Sequence, residues 1–159
     1  MFINSGLSAN RSINYDLILE NLKGYLDKGM PLITNLANMA AIIRYFFDEV
    51  NWVGFYLIEK DRLFLGPFQG LPACTEIPLG KGVCGIAAKN RKTMIINDVT
   101  QFPDYISCDA CSKSEIVVPI IKNNILFGVL DIDSPNVSRF GETERFVLES
   151  AVALLVDIL

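Results

Sequence analysis

Apolar positions along this chain recur with two different periods, and the changes of period mark out its elements. Ser12 or Asn14 can cap a first helix running to about Lys28, where Gly29, Met30 and Pro31 break it. From about Leu32 to Glu49 the apolar residues Ile33, Leu36, Ala40, Ile43 and Phe47 step by three and four, the spacing of a core-facing helical stripe. The pattern then shortens. Trp52 to Ile58 reads as a strand, Glu59-Lys60-Asp61 as a turn, and Arg62 to Phe68 as the returning strand. Gln69 to Lys81, with two prolines and two glycines, reads as loop around one short strand. Gly82 to Lys89 suits a short helix ended by Asn90, Met94 to Ile96 a brief buried strand, and Asn97 to Ser112 a long irregular loop. Glu115 to Ile121 and Leu126 to Asp133 make two further strands. They are joined through Lys122-Asn123-Asn124, where asparagine tolerates the positive φ of a hairpin turn. An amphipathic helix from about Glu142, with Val147, Ala151, Leu154 and Ile158 on one face, closes the chain. Helices first and last around an antiparallel sheet, with a helix and a long loop inserted, make an α+β domain. We expect one domain over residues 1–159, with residues 1–13 as a poorly ordered N-terminal arm.

Composition narrows the setting. Hydrophobic residues make up 51% of the chain, yet no apolar run approaches the roughly 18 residues that span a bilayer. No basic region leads into a long apolar segment at the start, so no signal peptide is expected, and the expected location is cytoplasmic. A net charge of −4 argues against nucleic acid and against a membrane surface as partner. Four cysteines and no histidine, in a compartment that keeps thiols reduced, point to thiol chemistry rather than a disulfide scaffold.

Period-two alternation puts Asp131 and Asp133 on one face of their strand and Leu130 and Ile132 on the other. Aspartate is disfavoured in strands, so two on one face must be solvated, paired or bound to a cation. Trp52, Gly54 and Tyr56 likewise share a face, as core or as the walls of a ligand pocket. Cys108 and Cys111 form a C-x-x-C, but there is neither a second such pair nor a histidine to complete a usual zinc set. Cys74 and Cys84 could supply two more ligands only at poor spacing. Cys108 and Cys74 fall in polar or Pro/Gly-rich loops, whereas Cys84 falls near a helix start, where the dipole lowers a thiol pKa.

Five segments in order, Asn51-Trp52-Val53-Gly54-Phe55-Tyr56, Leu65-Gly66-Pro67-Phe68-Gln69-Gly70, Gly80-Lys81-Gly82-Val83-Cys84-Gly85, Ser114-Glu115-Ile116-Val117-Val118-Pro119 and Gly128-Val129-Leu130-Asp131-Ile132-Asp133-Ser134-Pro135, resemble the free methionine-(R)-sulfoxide reductases. These are single-domain GAF proteins, and the resemblance runs from about Asn14 to the last helix. It implies a GAF fold and reduction of free L-methionine (R)-S-oxide. It places the attacking thiol at Cys108, the resolving thiol at Cys74 and a third family cysteine at Cys84. It matches substrate-facing acids to Glu115, Asp131 and Asp133 and aromatic walls to Trp52 and Tyr56, with Glu115 or Asp133 as the proton donor. It implies no bound cofactor and no metal. A sulfenic acid on Cys108 would condense with Cys74, and thioredoxin would reduce the disulfide. Free methionine-R-sulfoxide and thioredoxin are thus the expected partners, with a second copy of the chain as a candidate third. The chain departs from the family at Tyr105, where a histidine is usual, and at Cys111, an extra thiol that could intercept the sulfenic acid. A GAF sensor of small molecules without catalysis is the alternative; three acids would repel the phosphate of a cyclic nucleotide.

Overall fold

A computed structural model describes residues 2–3, 6–103, 105–106 and 111–159. Helices α1 (Arg11–Tyr25) and α2 (Leu32–Phe46) precede strands β1 (Trp52–Glu59), β2 (Arg62–Gln69) and β3 (Glu76–Pro78). Helix α3 (Gly82–Asn90), strand β4 (Met94–Ile96), a 3-10 turn at Val99–Gln101, strands β5 (Ser114–Lys122) and β6 (Ile125–Ser134), and helix α4 (Glu142–Ile158) follow. The strands form one antiparallel sheet in the order β3-β2-β1-β6-β5-β4, so the chain's early and late strands meet at the β1–β6 pair in its centre. The α+β architecture with helices at either end is as the alternation implies.

Boundaries differ where local hydrogen bonding decides. Asn10 caps α1, accepting from Ser12 N at 3.0 Å, while Asn14 is buried inside the helix and exchanges two bonds with the Ser8 backbone. Neither expected cap is used, because Asn10 lies one residue outside the first helical position. Helix α2 stops at Phe46, three residues early, and Glu49 turns the chain with φ +54° toward β1. Its buried stripe is Leu36, Met39, Ala40, Ile43 and Phe46; Ile33 stands 65% exposed, at a groove it lines with Leu57 of β1 and Leu65 of β2. In α4 the buried face runs through Val147, Leu148, Ala151, Val152 and Leu155, with Leu154 and Ile158 on its margin. The Asn123-Asn124 hairpin forms as expected, both residues at positive φ (50° and 61°) between the paired Lys122 and Ile125.

Alternation along the sheet divides the interior in two. Val53 and Phe55 of β1, Ile116, Val118 and Ile120 of β5, and Leu130 and Ile132 of β6 pack against α1, α2 and α4 in the larger core. Trp52, Tyr56, Val117 and Val129 face the other way, into a smaller core closed by α3 through Val83, Cys84, Ala87 and Ala88. Buried Arg139 fastens the first layer at its edge, donating to Glu144 at 3.2 Å and to Asp48 at 2.7 Å while stacking on Phe47 and Phe140. A buried cation with two carboxylate partners is costly to strip of either one.

Two glycines are required by close approach. In α3, a Cβ on Gly85 would lie 2.4 Å from the Pro78 carbonyl oxygen, so only glycine lets the helix descend onto β3. A Cβ on Gly54 would lie 2.4 Å from both Trp52 Cη2 and Phe68 Cβ, since the indole lies across the glycine. Gly54→Ala is therefore expected to lower stability by about 1–3 kcal/mol, as overpacking does. Urea unfolding checks this, and an unchanged midpoint would contradict it.

Candidate functional site

The second face of the sheet carries the candidate chemistry because of register. Glu115 of β5 pairs directly with Asp133 of β6, and Asp131 pairs with Val117 on one side and Gly54 on the other. All three acids thus project toward α3, and like charges set opposite each other across strands repel. They are not a solvated sheet face: Glu115 is 5% exposed, Asp131 6% and Asp133 9%.

The strand ends that hold them are pinned by main-chain and hydroxyl bonds. Ser114 Oγ donates to the Asn136 carbonyl and Ser134 Oγ to the Glu49 carbonyl, each at 2.6 Å. Lys113 N donates to Ser134 O at 2.7 Å, and Asn51 Nδ2 reaches Ser112 Oγ at 3.2 Å, tying the end of the long loop to the start of β1. The carboxyl groups next to these anchors therefore have little freedom to swing out into water.

Between the acids and α3 lies a cavity of about 20 Å³, room for about one water molecule. It is lined by Cys84, Glu115, Asp131 and Asp133, with Gly82, Val83, Ile77, Tyr105 and Ile106 around them. Among those residues there is no lysine or arginine. The Cys84 thiol donates to Glu115 Oε1 at 3.8 Å, and Asp131 Oδ1 is buried without a hydrogen-bond partner.

Burial and mutual repulsion favour the neutral forms. Burial, then the charges of Asp131 and Asp133, push the Glu115 carboxyl well above the usual carboxylate range. Burial pushes Asp131 up to about 7 against hydrogen bonds from Cys84 and Glu115. Burial, then Asp131 and Glu115, also raises the Cys84 thiol well above its ordinary value. The position of Cys84 near the start of α3 suggested a lowered pKa; desolvation beside two carboxylates outweighs the helix dipole. A thiol held neutral in this way is a poor nucleophile.

The structure brings four of the expected residues together, Cys84, Glu115, Asp131 and Asp133. Trp52 and Tyr56 lie on the same sheet face but beneath the cavity, stacked on each other with ring centroids 5.9 Å apart. Neither lines the cavity. Trp52 Nε1 donates to the Leu71 carbonyl at 3.1 Å and Tyr56 OH to the Cys74 carbonyl at 3.0 Å, so both brace the loop that carries Cys74. Cys74 is disulfide-bonded, whereas Cys84 and Cys111 stand outside any disulfide. Cys108 lies outside the described residues. Sequence reasoning missed the apolar lining from Ile77 in β3, Val83 in α3 and Ile106 in the irregular segment before β5; three single residues on separate elements leave no periodic signal.

A GAF domain family model matches residues 36–159. The chain is 46% identical over 127 residues to the free methionine-R-sulfoxide reductase of Escherichia coli, covering 80% of this chain and 77% of that one. It is 40% identical over 156 residues to the free methionine-R-sulfoxide reductase of Saccharomyces cerevisiae, covering 91% and 87%. The X-ray structure of the Neisseria meningitidis free methionine-R-sulfoxide reductase in complex with its substrate superimposes with a TM-score of 0.92 at 36% identity, covering 99% of this chain and 95% of that one. No helix among the described residues is long and apolar enough to cross a membrane. By sequence and by fold, this chain belongs to the GAF-domain family of free methionine-R-sulfoxide reductases.

Proposed function

We propose that this chain reduces free L-methionine (R)-S-oxide to L-methionine. The observation that carries the reading is a buried cavity with three carboxyl groups and no cationic side chain in its lining. A free amino acid supplies the missing cation as its ammonium, which the acids hold through charge-assisted hydrogen bonds. Peptide-bound methionine sulfoxide offers a neutral amide there and leaves the acids unpaired, so it is rejected. The cavity is too small for an amino acid as it stands. Tyr105 and Ile106, in the irregular segment at its rim, are the residues whose displacement admits substrate; Trp52 and Tyr56 meet the S-methyl end once it is open.

Cys108 acts as nucleophile. Its thiolate attacks the sulfoxide sulfur and forms an S–S bond as the sulfoxide oxygen is protonated; that hydroxyl oxygen then bonds to the Cys108 sulfur while the S–O and S–S bonds to the substrate sulfur break, leaving Cys108 as a sulfenic acid and releasing methionine. Glu115 is the proton donor. It is the carboxyl kept neutral by burial and by two neighbouring acids, and its protonation satisfies Asp131 at the same time. Cys74 then condenses with the sulfenic acid and expels water. Cys74 is disulfide-bonded, which supports its part as the thiol that closes a disulfide. Thioredoxin, the dithiol reductant of a reducing cytoplasm, regenerates both thiols with no bound cofactor.

Separated epimers of free methionine sulfoxide, with thioredoxin, thioredoxin reductase and NADPH, test this directly. Methionine should appear from the free R epimer alone, and not from peptide-bound sulfoxide. Cys108→Ser should abolish turnover, and Cys74→Ser should give at most one round per enzyme. Sustained turnover by Cys108→Ser would overturn the choice of nucleophile.

Stability should record the cost of the site. A carboxyl whose folded pKa is raised stabilises the fold below its unfolded pKa, and that stability is lost as pH climbs through the folded value. For Asp131 the window runs from about 3.8 up to about 7. Asp131→Asn, an amide that can donate to Glu115, is expected to be more stable than the unmutated protein at pH 8, with the advantage shrinking toward pH 4. Denaturant titrations at both pH values decide it; a variant less stable at pH 8 would refute the assignment.

A further inference from the structure

The cavity's chemistry suits a second kind of cation besides an ammonium. Cys84 Sγ, a carboxylate oxygen of Glu115 and a carboxylate oxygen of Asp131 all lie within 4.8 Å of one another, and all three side chains are buried. Zinc bonds thiolate sulfur at about 2.3 Å and carboxylate oxygen at about 2.0–2.2 Å. In a tetrahedron those lengths put sulfur and oxygen about 3.6 Å apart. The observed separation of Cys84 Sγ and Glu115 Oε1 is 3.8 Å, so two ligands already stand almost one tetrahedral edge apart. The third offers an orphaned acceptor: Asp131 is 6% exposed, faces the cavity, and its Oδ1 has no hydrogen-bond partner. The cavity between them holds about 20 Å³, ample for a bare ion and for little else.

We propose that Cys84, Glu115 and Asp131 form a three-ligand site for a thiophilic divalent cation of the zinc class, and that this ion competes with the substrate's ammonium for the pocket. Binding drives the Cys84 thiol proton and the Glu115 carboxyl proton into solvent. The competition, though not the site, rests on the function proposed above. Sulfur selects against magnesium and calcium, which prefer all-oxygen shells. Three protein ligands leave a fourth position for water, the arrangement of an exchangeable site rather than a closed structural one. The ion is thus an inhibitor by site occupancy, and thiol-rich conditions that buffer zinc would protect the enzyme.

Cobalt(II) serves as the optical probe, because thiolate ligation gives it an intense near-ultraviolet absorption, and zinc(II) is then titrated against it. The Cys111→Ser protein is used in its disulfide-bonded form, which removes competing thiols. One equivalent of cobalt should bind with that absorption and be displaced by zinc. Cys84→Ala should abolish the band, and Asp131→Asn should weaken binding at least tenfold. Absence of the band, or its survival in Cys84→Ala, overturns the site. Free methionine in excess should displace cobalt from protein with Cys84, Glu115 and Asp131 intact, which requires no variant at the site to fold. Failure of that displacement, with the band present and dependent on Cys84, overturns the competition. None of these readouts uses turnover, so a loss of the proposed reductase activity and a loss of the metal site are distinguished.

Discussion

The burial of three carboxyl groups on one sheet face, with no cation in the lining of the cavity they share, is the constraint on which the rest of this structure depends. In isolation such a cluster repels itself and resists leaving water. Here it is enforced by register: Glu115 and Asp133 stand directly opposite each other across β5 and β6, and Asp131 sits two residues along the same face. The strands cannot slip to relieve it. A shift by one residue would send Leu130 and Ile132 out of the larger core and the acids into it. Hydrophobic burial on one face therefore fixes an electrostatic strain on the other, and a cationic ligand is what relieves that strain.

Division of labour follows from the sheet. Helices α1, α2 and α4 bury the apolar face and supply the stability. The short helix α3 covers the other face, low enough through Gly85 to put Cys84 in contact with Glu115. Trp52 and Tyr56 form the floor between them and brace the Cys74 loop through the Leu71 and Cys74 carbonyls. Burial of Cys84 beside two acids keeps its thiol protonated.

Strands were more legible in the sequence than helix faces. Period-two alternation is unambiguous over β1 and β6, so it pairs Trp52 with Tyr56 and Asp131 with Asp133, each on one face of its own strand; only the register of β1 on β6 puts both pairs on the same side of the sheet, and the Asn123-Asn124 turn signals itself by its tolerance of positive φ. The helical stripes were read less well. Ile33 satisfies the spacing of α2 but stands 65% exposed at a groove beside β1 and β2, and how tightly a stripe residue is covered is set by tertiary packing that periodicity does not encode. The Cys84 pKa ran opposite to its helix position because the carboxylates that raise it come from β5 and β6, more than 30 residues later in sequence. Tyr105 and Ile106 line the cavity from an irregular loop, where no repeat pattern exists to be read.

The central claim is that an ammonium held by the acid cluster displaces the proton that burial keeps on Asp131 near pH 7, while Glu115 retains its own for the sulfoxide oxygen. Calorimetric titration of free methionine near pH 7, in buffers of different ionisation enthalpy, measures that exchange directly. Binding accompanied by proton release, together with failure of N-acetylmethionine to bind, is the predicted result. Equal binding of the two ligands, or methionine binding with no proton released, would contradict the account.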